Sequence, residues 1–237
     1  MIDFHTHILP QVDDGSTSLQ MSVALLKELK NQGVKKVVLT PHFYAYASSV
    51  EVFTERREDS KQALLLELKN NPIDIELYLG CEVLYFEELW RIEELKQFCI
   101  EGTEYVLVEM PFAPWTENMV RGVEKIIGKG LTPVVAHFER YMKYKGNREK
   151  LYQLVEMGSL LQMNCKYIND FRTRRSAVKL IKSGAVFALG TDCHNLSDRA
   201  PNYSEAVNIL KRKLSDYELS QLLLRPNSIL KGAKRIY

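Results

Sequence analysis

Apolar runs rich in β-branched residues recur along the chain, each followed by a longer segment whose apolar positions have helical spacing. The runs predict strands over Ile2–His5, Lys36–Thr40, Ile75–Leu79, Tyr105–Glu109, Pro133–Ala136, Leu160–Asn164 and Val186–Gly190. Several are continuously apolar, as strands covered on both faces should be. Helices are expected over Leu19–Gln32, Val50–Asn70, Thr116–Lys129, Asn147–Met157, Arg172–Ser183 and Tyr203–Leu214, with another after Ser215, where Ser215-x-x-Glu218 reads as a capping box. Four of them stop at Gly33, Gly130, Gly158 or Gly184, just before the next strand. Strand, helix, glycine, strand is the order of βα units in a parallel sheet. The segment Val83–Ile100 fits neither period and is expected to pass over the mouth of a barrel. With seven strands and no linker or repeat between them, residues 1–237 are expected to form one barrel-like α/β domain.

Composition narrows the function classes. A hydrophobic fraction of 46% supplies a core, so disorder is excluded. Formal net charge is +2 with acids and bases interspersed, which leaves no footprint for nucleic acid or an anionic membrane. No run reaches the ~18 apolar residues that a membrane span needs. The first residues are strand-like and lack the regions of a signal peptide, so a cytoplasmic location is the default. Cys81, Cys99, Cys165 and Cys193 are scattered without a C-x-x-C pair, as reduced thiols would be.

The chemistry-bearing residues sort to one place. The five histidines are His5, His7, His42, His137 and His194, and each lies at or just beyond the C-terminal end of a predicted strand. Glu82, Glu109 and Asp192 occupy matching positions. In an extended strand, residues i and i+2 face the same side, so His5-x-His7 presents two imidazoles together, and Asp192-x-His194 repeats the device near the other end of the chain. Parallel barrels gather their strand ends on one rim, where active sites sit. A lone histidine is usually structural. All five at strand ends, with none on a helix surface, point to a metal cluster.

The motifs Ile-Asp-Phe-His-Thr-His-Ile-Leu-Pro-x-x-Asp-Asp-Gly, Thr-Pro-His, Gly-Cys-Glu, Val-Glu-Met-Pro, Ala-His-Phe-Glu-Arg-Tyr and Thr-Asp-Cys-His-Asn-x-x-x-Arg occur in order from residue 1 to about residue 199. In them the chain resembles the PHP (polymerase and histidinol phosphatase) superfamily. Within it, the similarity is to the bacterial manganese-dependent protein-tyrosine phosphatases associated with capsule and exopolysaccharide synthesis. The resemblance implies a distorted seven-stranded (β/α)7 TIM-like barrel and two to three ions per chain, Mn2+ or else Fe or Zn. It implies that His5, His7, Glu82 and Asp192 hold one ion, and that Glu82 bridges to a second completed by Glu109 and His137. Asp14, His42 and His194 would hold a third. Spacing leaves Asp13 or Asp14 as that ligand, with Asp14 favoured beside the turn glycine. Related histidine-rich enzymes tend to carry histidine at the positions of Asp14 and Glu109, so the carboxylates here point to the tyrosine-phosphatase branch. Phe138 departs from that branch, which usually has proline there, and puts the local loop shape in question.

A site of this kind would hydrolyse a phosphomonoester by attack of a metal-activated hydroxide. Three divalent ions against four ligand carboxylates leave about +2, which suits an anionic substrate. Arg140 and Arg199 fall in rim loops, where the resemblance implies that they bind phosphate. Phe43, Tyr44, Tyr46, Phe86, Trp90, Phe112 and Trp115 are candidates for an aromatic wall around a phosphotyrosine ring. The implied partner is a phosphotyrosine protein, a bacterial tyrosine kinase of polysaccharide synthesis, with oligomerisation left open. Four other readings compete. Cys193 to Arg199 has the C-x5-R spacing of cysteine-dependent phosphatases but no glycine between. A histidinol-phosphate or similar small-metabolite phosphatase keeps the cluster and changes the substrate; a nuclease would need a basic groove. A non-catalytic scaffold would not need every ligand. Truncating the N-terminal strand is expected to cost activity before it costs the fold.

Overall fold

The computed structural model describes residues 1–237. Nine short strands run in the order β1 (Ile2–Thr6), β2 (Lys36–Leu39), β3 (His42–Phe43), β4 (Glu76–Leu79), β5 (Glu82–Leu84), β6 (Tyr105–Glu109), β7 (Thr132–Val135), β8 (Leu160–Asn164) and β9 (Ala188–Gly190). All pairings are parallel. They form a three-stranded sheet β1-β2-β4 and a six-stranded sheet β3-β5-β6-β7-β8-β9, in place of one seven-stranded ring. The difference has a local cause. Thr40-Pro41 separates β2 from β3, and Gly80-Cys81 separates β4 from β5. Proline has no N–H to give to a ladder. Across the breaks Gly80 N–H still donates to Leu39 O at 2.8 Å and Glu82 N–H to Pro41 O at 3.0 Å, so the chain passes from one sheet to the other without a gap. The surface curls until its ends approach, where Asp192 N–H donates to His5 O at 2.8 Å and His7 N–H to Cys193 O at 2.9 Å.

The helices are α1 (Leu19–Asn31), α2 (Val50–Asn70), α3 (Glu117–Gly128), α4 (Asn147–Glu156), α5 (Cys165–Asn169), α6 (Arg174–Lys182), α7 (Tyr203–Leu210), α8 (Asp216–Leu224) and α9 (Asn227–Leu230). Ser18, Ser49, Thr116 and Ser215 accept backbone N–H groups as N-caps, and Ser215 with Glu218 closes the expected capping box. The expected helix over Arg172–Ser183 starts two residues later. Asp170 accepts from Arg172, and Thr173 donates its hydroxyl to Tyr167 O, which holds this stretch as a turn. The terminating glycines do adopt positive φ, for example +82° at Gly33 and +108° at Gly158. The Val83–Ile100 segment is spent on the outer helices. Trp90 lies 4.0 Å beneath the Lys125 ammonium of α3, and Phe98 packs on Phe53 of α2.

One cluster of 54 buried residues packs the helices on the sheet. A second, of 12, is drawn from Ile2, Phe4, Val38, Tyr78, Leu107 and Val134 on the strands, together with Ile229 and Leu230 of α9. It fills the space inside the curl and leaves the other end, where the strands finish, to polar groups. All five residues of β1 are buried between β2 and β9. Removing β1 would open the sheet itself, which argues that truncation costs the fold together with the activity rather than after it.

Candidate metal centre

The strand ends bring all five histidines together. Glu82, at the start of β5 and fully buried, is the hub. Its Oε2 lies 2.9 Å from His5 Nε2, 3.2 Å from His7 Nε2 and 3.1 Å from His42 Nδ1, and its Oε1 lies 3.0 Å from His137 Nε2. Glu109 stands 3.4 Å from the same His137 nitrogen. Asp192 Oδ1 approaches His5, His7 and His194 at 3.8, 3.4 and 3.6 Å. Asp14 Oδ1 is 3.3 Å from His194 Nε2 and 3.8 Å from His42 Nε2. Three overlapping groups have donor spacing suited to an ion: His5, His7 and Asp192; His42, Glu82 and Glu109; and His7, Asp14, His42 and His194. The groups differ from the expected sets in three ways: Glu82 is absent from the first, His42 takes the place of His137 beside Glu82 and Glu109, and His7 joins Asp14, His42 and His194. His42 stands between Asp14 and the Glu82–Glu109 pair, and His7 also faces His194, with ring centroids 3.9 Å apart.

Tautomers decide whether this crowding suits a cation. His5 Nδ1 lies 3.0 Å from the acceptor Gln162 Oε1, His7 Nδ1 lies 2.6 Å from Asp13 Oδ2, and His194 Nδ1 lies 3.0 Å from Asp192 O. Each Nδ1 therefore carries the proton, and in the neutral ring the bare Nε2 lone pair points inward. His5 Nε2 and His7 Nε2 meet at 3.0 Å, lone pair to lone pair, beside a carboxylate oxygen. His42 Nδ1 and His194 Nε2 are buried without a hydrogen bond. Such an array needs positive charge at its focus. Burial opposes a proton on His7 and His137, yet the adjoining carboxylates raise them to about 10 and about 9. Burial dominates at His42 and His194 and lowers both. Imidazole and carboxylate donors without thiolate fit a divalent cation of the manganese, iron or zinc kind.

Backbone geometry serves the same focus. His137 (φ 30°) and Asp192 (φ 54°) sit in the left-handed region, a strained conformation for these residues that turns their side chains back onto the rim. At Gly190 a Cβ would come within 2.6 Å of His5 Cβ, so only glycine lets β9 approach β1 closely enough to deliver Asp192. The aspartate pair divides its work. Asp13 accepts from His7 Nδ1, Gly15 N–H and His42 N–H, and so is taken up in orienting two histidines. Asp14 faces His42 and His194 at 3.8 and 3.3 Å, free of the orienting contacts that occupy Asp13.

Both predicted arginines reach the rim. Arg140 donates to Asp192 Oδ2 at 2.6 Å, and Arg199 donates to Asp192 Oδ1 at 2.9 Å and to Asp14 Oδ2 at 3.2 Å. The aromatic candidates separate. Tyr44 stacks on His42 at 4.7 Å, Tyr46 stacks on Tyr44, and Phe112 lies 5.7 Å from His137. Phe43 and Trp115 are instead buried in the core, and Phe86 and Trp90 pack against it. Cys193 is fully buried and its thiol is pushed far up by burial, while Arg199 is engaged with carboxylates; the thiolate loop that C-x5-R suggested is not formed. Phe138, in place of the usual proline, is buried in a short 3-10 turn and leaves His137 in register with Glu82.

Several participants lie outside the predicted ligand set. Gln162 accepts from His137 N–H at 2.9 Å as well as facing His5, and donates to Asn164, which donates to Asp192 Oδ2 at 2.9 Å. This buried amide pair on β8 links groups from three other strand ends. Asp3 accepts Thr191 N–H at 2.9 Å and pins β1 to the loop after β9. Tyr141 OH lies 3.1 Å from His137 Nδ1. Alternating polar residues in a half-buried strand would have been the only hint of Gln162 and Asn164.

The fold and the cluster define an α/β protein with a clustered imidazole–carboxylate site at the strand ends of a curled parallel sheet. The family described as "Capsular polysaccharide synthesis, CpsB/CapC" matches residues 1–231, and the chain belongs to it. Among its relatives, tyrosine-protein phosphatase CpsB of Streptococcus pneumoniae is 28% identical over 246 residues, covering 97% of this chain and 98% of that one. Tyrosine-protein phosphatase YwqE of Bacillus subtilis is 26% identical over 98% of this chain and 94% of its own. A chain from the crystal structures of YwqE and S. pneumoniae CpsB, described as unique metal-dependent tyrosine phosphatases, superposes with a TM-score of 0.85. It is 24% identical, covering 99% of this chain and 97% of that chain, and shares the fold.

Proposed function

We propose that this chain is a metal-dependent protein-tyrosine phosphatase of capsular or exopolysaccharide synthesis, acting on the phosphotyrosine of a partner protein such as a tyrosine kinase. The observation that carries the reading is the buried Glu82 carboxylate surrounded by four imidazoles, with two arginines at its edge. His5, His7, Glu82 and Asp192 would hold one ion, and Glu82, Glu109 and His137 a second. Asp14, His42 and His194 would hold a third, with manganese favoured by a donor set free of sulfur. Divalent cations there supply Lewis acidity, which polarises a phosphate ester and acidifies water.

The rest falls to the protein's own groups. Arg140 and Arg199, each about one-third exposed, can turn from Asp192 to a phosphate, where planar guanidinium groups bind paired oxygens and meet the charge that develops on transfer. Gln162 and Asp13 keep the Nδ1 protons on His5 and His7, so their inward nitrogens stay free. Tyr44, Tyr46 and Phe112 form a wall that suits an aryl phosphate better than a small aliphatic one. Burial, with Glu109, Glu82 and Asp14 adding to it, raises the Tyr44 phenol, so it keeps its proton at neutral pH. We read the curled sheet as a distorted seven-stranded barrel in which the two interrupted strands each count once, and residues 1–237 as one domain. No helix is long and apolar enough to cross a membrane. Four free cysteines fit a reducing, cytoplasmic setting.

The test is hydrolysis of a phosphotyrosyl peptide by protein stripped of metal, with and without added manganese. Turnover should be absent after stripping and return with the ion. Turnover that survives stripping, or a hundredfold preference for histidinol phosphate, would overturn the reading.

A further inference from the structure

Charge is not evenly spread. Residues 166–182 hold six cations and one carboxylate, a net +5 in a chain of +2, so the other 220 residues together carry −3. The helix α6 within this segment buries Ala177 and Ile181, which turns Arg175, Lys179 and Lys182 outward. None of these three makes an ion pair; Arg172 alone on this face is neutralised, by Asp170 at 2.7 Å. Glu218, near Lys182, is already held in its capping box. Unpaired like charges along one face repel one another and cost the isolated protein stability.

Two depressions join this face to the metal centre. A shallow, open depression runs along Arg172, Arg175, Lys179 and Lys182. A narrower cleft of about 140 Å3 starts at Arg140 and passes Lys166 and Tyr167 to Asp170 and Thr173. The turn Asp170–Thr173 belongs to both, and Arg140 is itself bonded to Asp192. The cleft is also lined by Glu139, which is 6% exposed and whose Oε2 has no hydrogen-bond partner.

We propose that this track is a docking surface for an acidic segment flanking the phosphotyrosine of the protein substrate, a reading that rests on the phosphatase function above. Nine helical residues span about 13 Å, the length of about four extended residues, so a run of about four acidic side chains would match α6. A membrane fits less well. Phe171 is the one large apolar side chain fully exposed on this segment, too little to insert, and a flat bilayer cannot enter the cleft.

The experiment compares two phosphotyrosyl peptides that differ only in a flanking run of four Glu or four Gln. The wild-type protein and an Arg175→Glu/Lys179→Glu/Lys182→Glu variant are assayed with both, and with p-nitrophenyl phosphate. In low salt the Glu peptide should have a KM at least tenfold below the Gln peptide, at equal kcat. The variant should lose that preference while its p-nitrophenyl phosphate turnover is unchanged. Equal KM values in the wild type, or a preference that survives in the variant, would overturn the proposal. So would retention on phosphatidylserine vesicles that the variant loses, without any peptide preference. If neither peptide is hydrolysed, the phosphatase reading falls separately. Fluorescence anisotropy of a labelled Glu peptide then decides the surface: binding that the variant loses supports it, and no binding overturns it.

Discussion

At the residue scale, the site depends on groups that never face a substrate. Gln162 holds His5 and His137 at once through a single oxygen, and its amide nitrogen passes the constraint to Asn164 and Asp192. Replacing it by leucine frees the His5 ring to change tautomer and leaves the Asn164 carbonyl unpaired. Loss of such outer contacts typically weakens metal binding by about 10- to 100-fold, and calorimetric titration of the metal-free Gln162→Leu protein with manganese should read that loss. The aspartate pair gives a second prediction. Asp14→Asn should remove one ion per chain, counted by elemental analysis, whereas Asp13→Asn should keep the count and lower the affinity, because Asp13 acts through His7. A third concerns Cys193, buried and protonated: Cys193→Ser should retain phosphatase turnover that a chelator abolishes in both proteins. These contrasts mark where the sequence was readable. Histidines placed after apolar runs advertise themselves, because few other reasons put five of them there. Gln162 and Asn164 do not, since a buried amide looks like any strand residue until its partners from three other strands are in place.

At the scale of elements, periodicity located the strands and long helices and missed their interruptions. Continuous apolar runs ended where chemistry begins, and the structure continues two of them as β3 and β5 after a proline or glycine break. No apolar period could foretell that His42 and Glu82 sit in strands, because both are polar and their ladder spans three residues or fewer. The short helices α5 and α9 lie below the length at which a helical repeat is visible. α9 nonetheless closes the inner cluster with Ile229 and Leu230. The element with the largest consequence is β1. Its residues pair with β2, Thr6 bridges to Cys193 just after β9, and the buried Asp3 ties it to Thr191. Deleting residues 1–6 should therefore abolish the cooperative thermal transition and leave insoluble protein. A truncated protein that melts like the full chain but lacks activity would contradict this account.

At the scale of the whole molecule, two features set what the fold can do: a core that ends before the rim, and a rim that concentrates charge. Glu82, Asp192, His5 and His7 are almost wholly withdrawn from water, and burying ionisable groups so closely costs stability unless cations neutralise them. The folded protein thus holds a site that the unfolded chain lacks, and metal binding must stabilise it by mass action. With one site filled at free manganese about 100 times its dissociation constant, the gain is about 2.7 kcal/mol. For a chain of this size that corresponds to a rise in melting temperature of about 5 to 10 °C. Differential scanning calorimetry on stripped protein, with manganese added stepwise, should trace this rise. The Glu82→Gln variant should respond less, because it weakens the one carboxylate that four imidazoles share. Magnesium at equal concentration should give a smaller shift, since it favours oxygen ligands and keeps its water. If stripped and loaded proteins melt together, the buried cluster is neutralised by protons alone, and the metal centre proposed for the rim is lost with it.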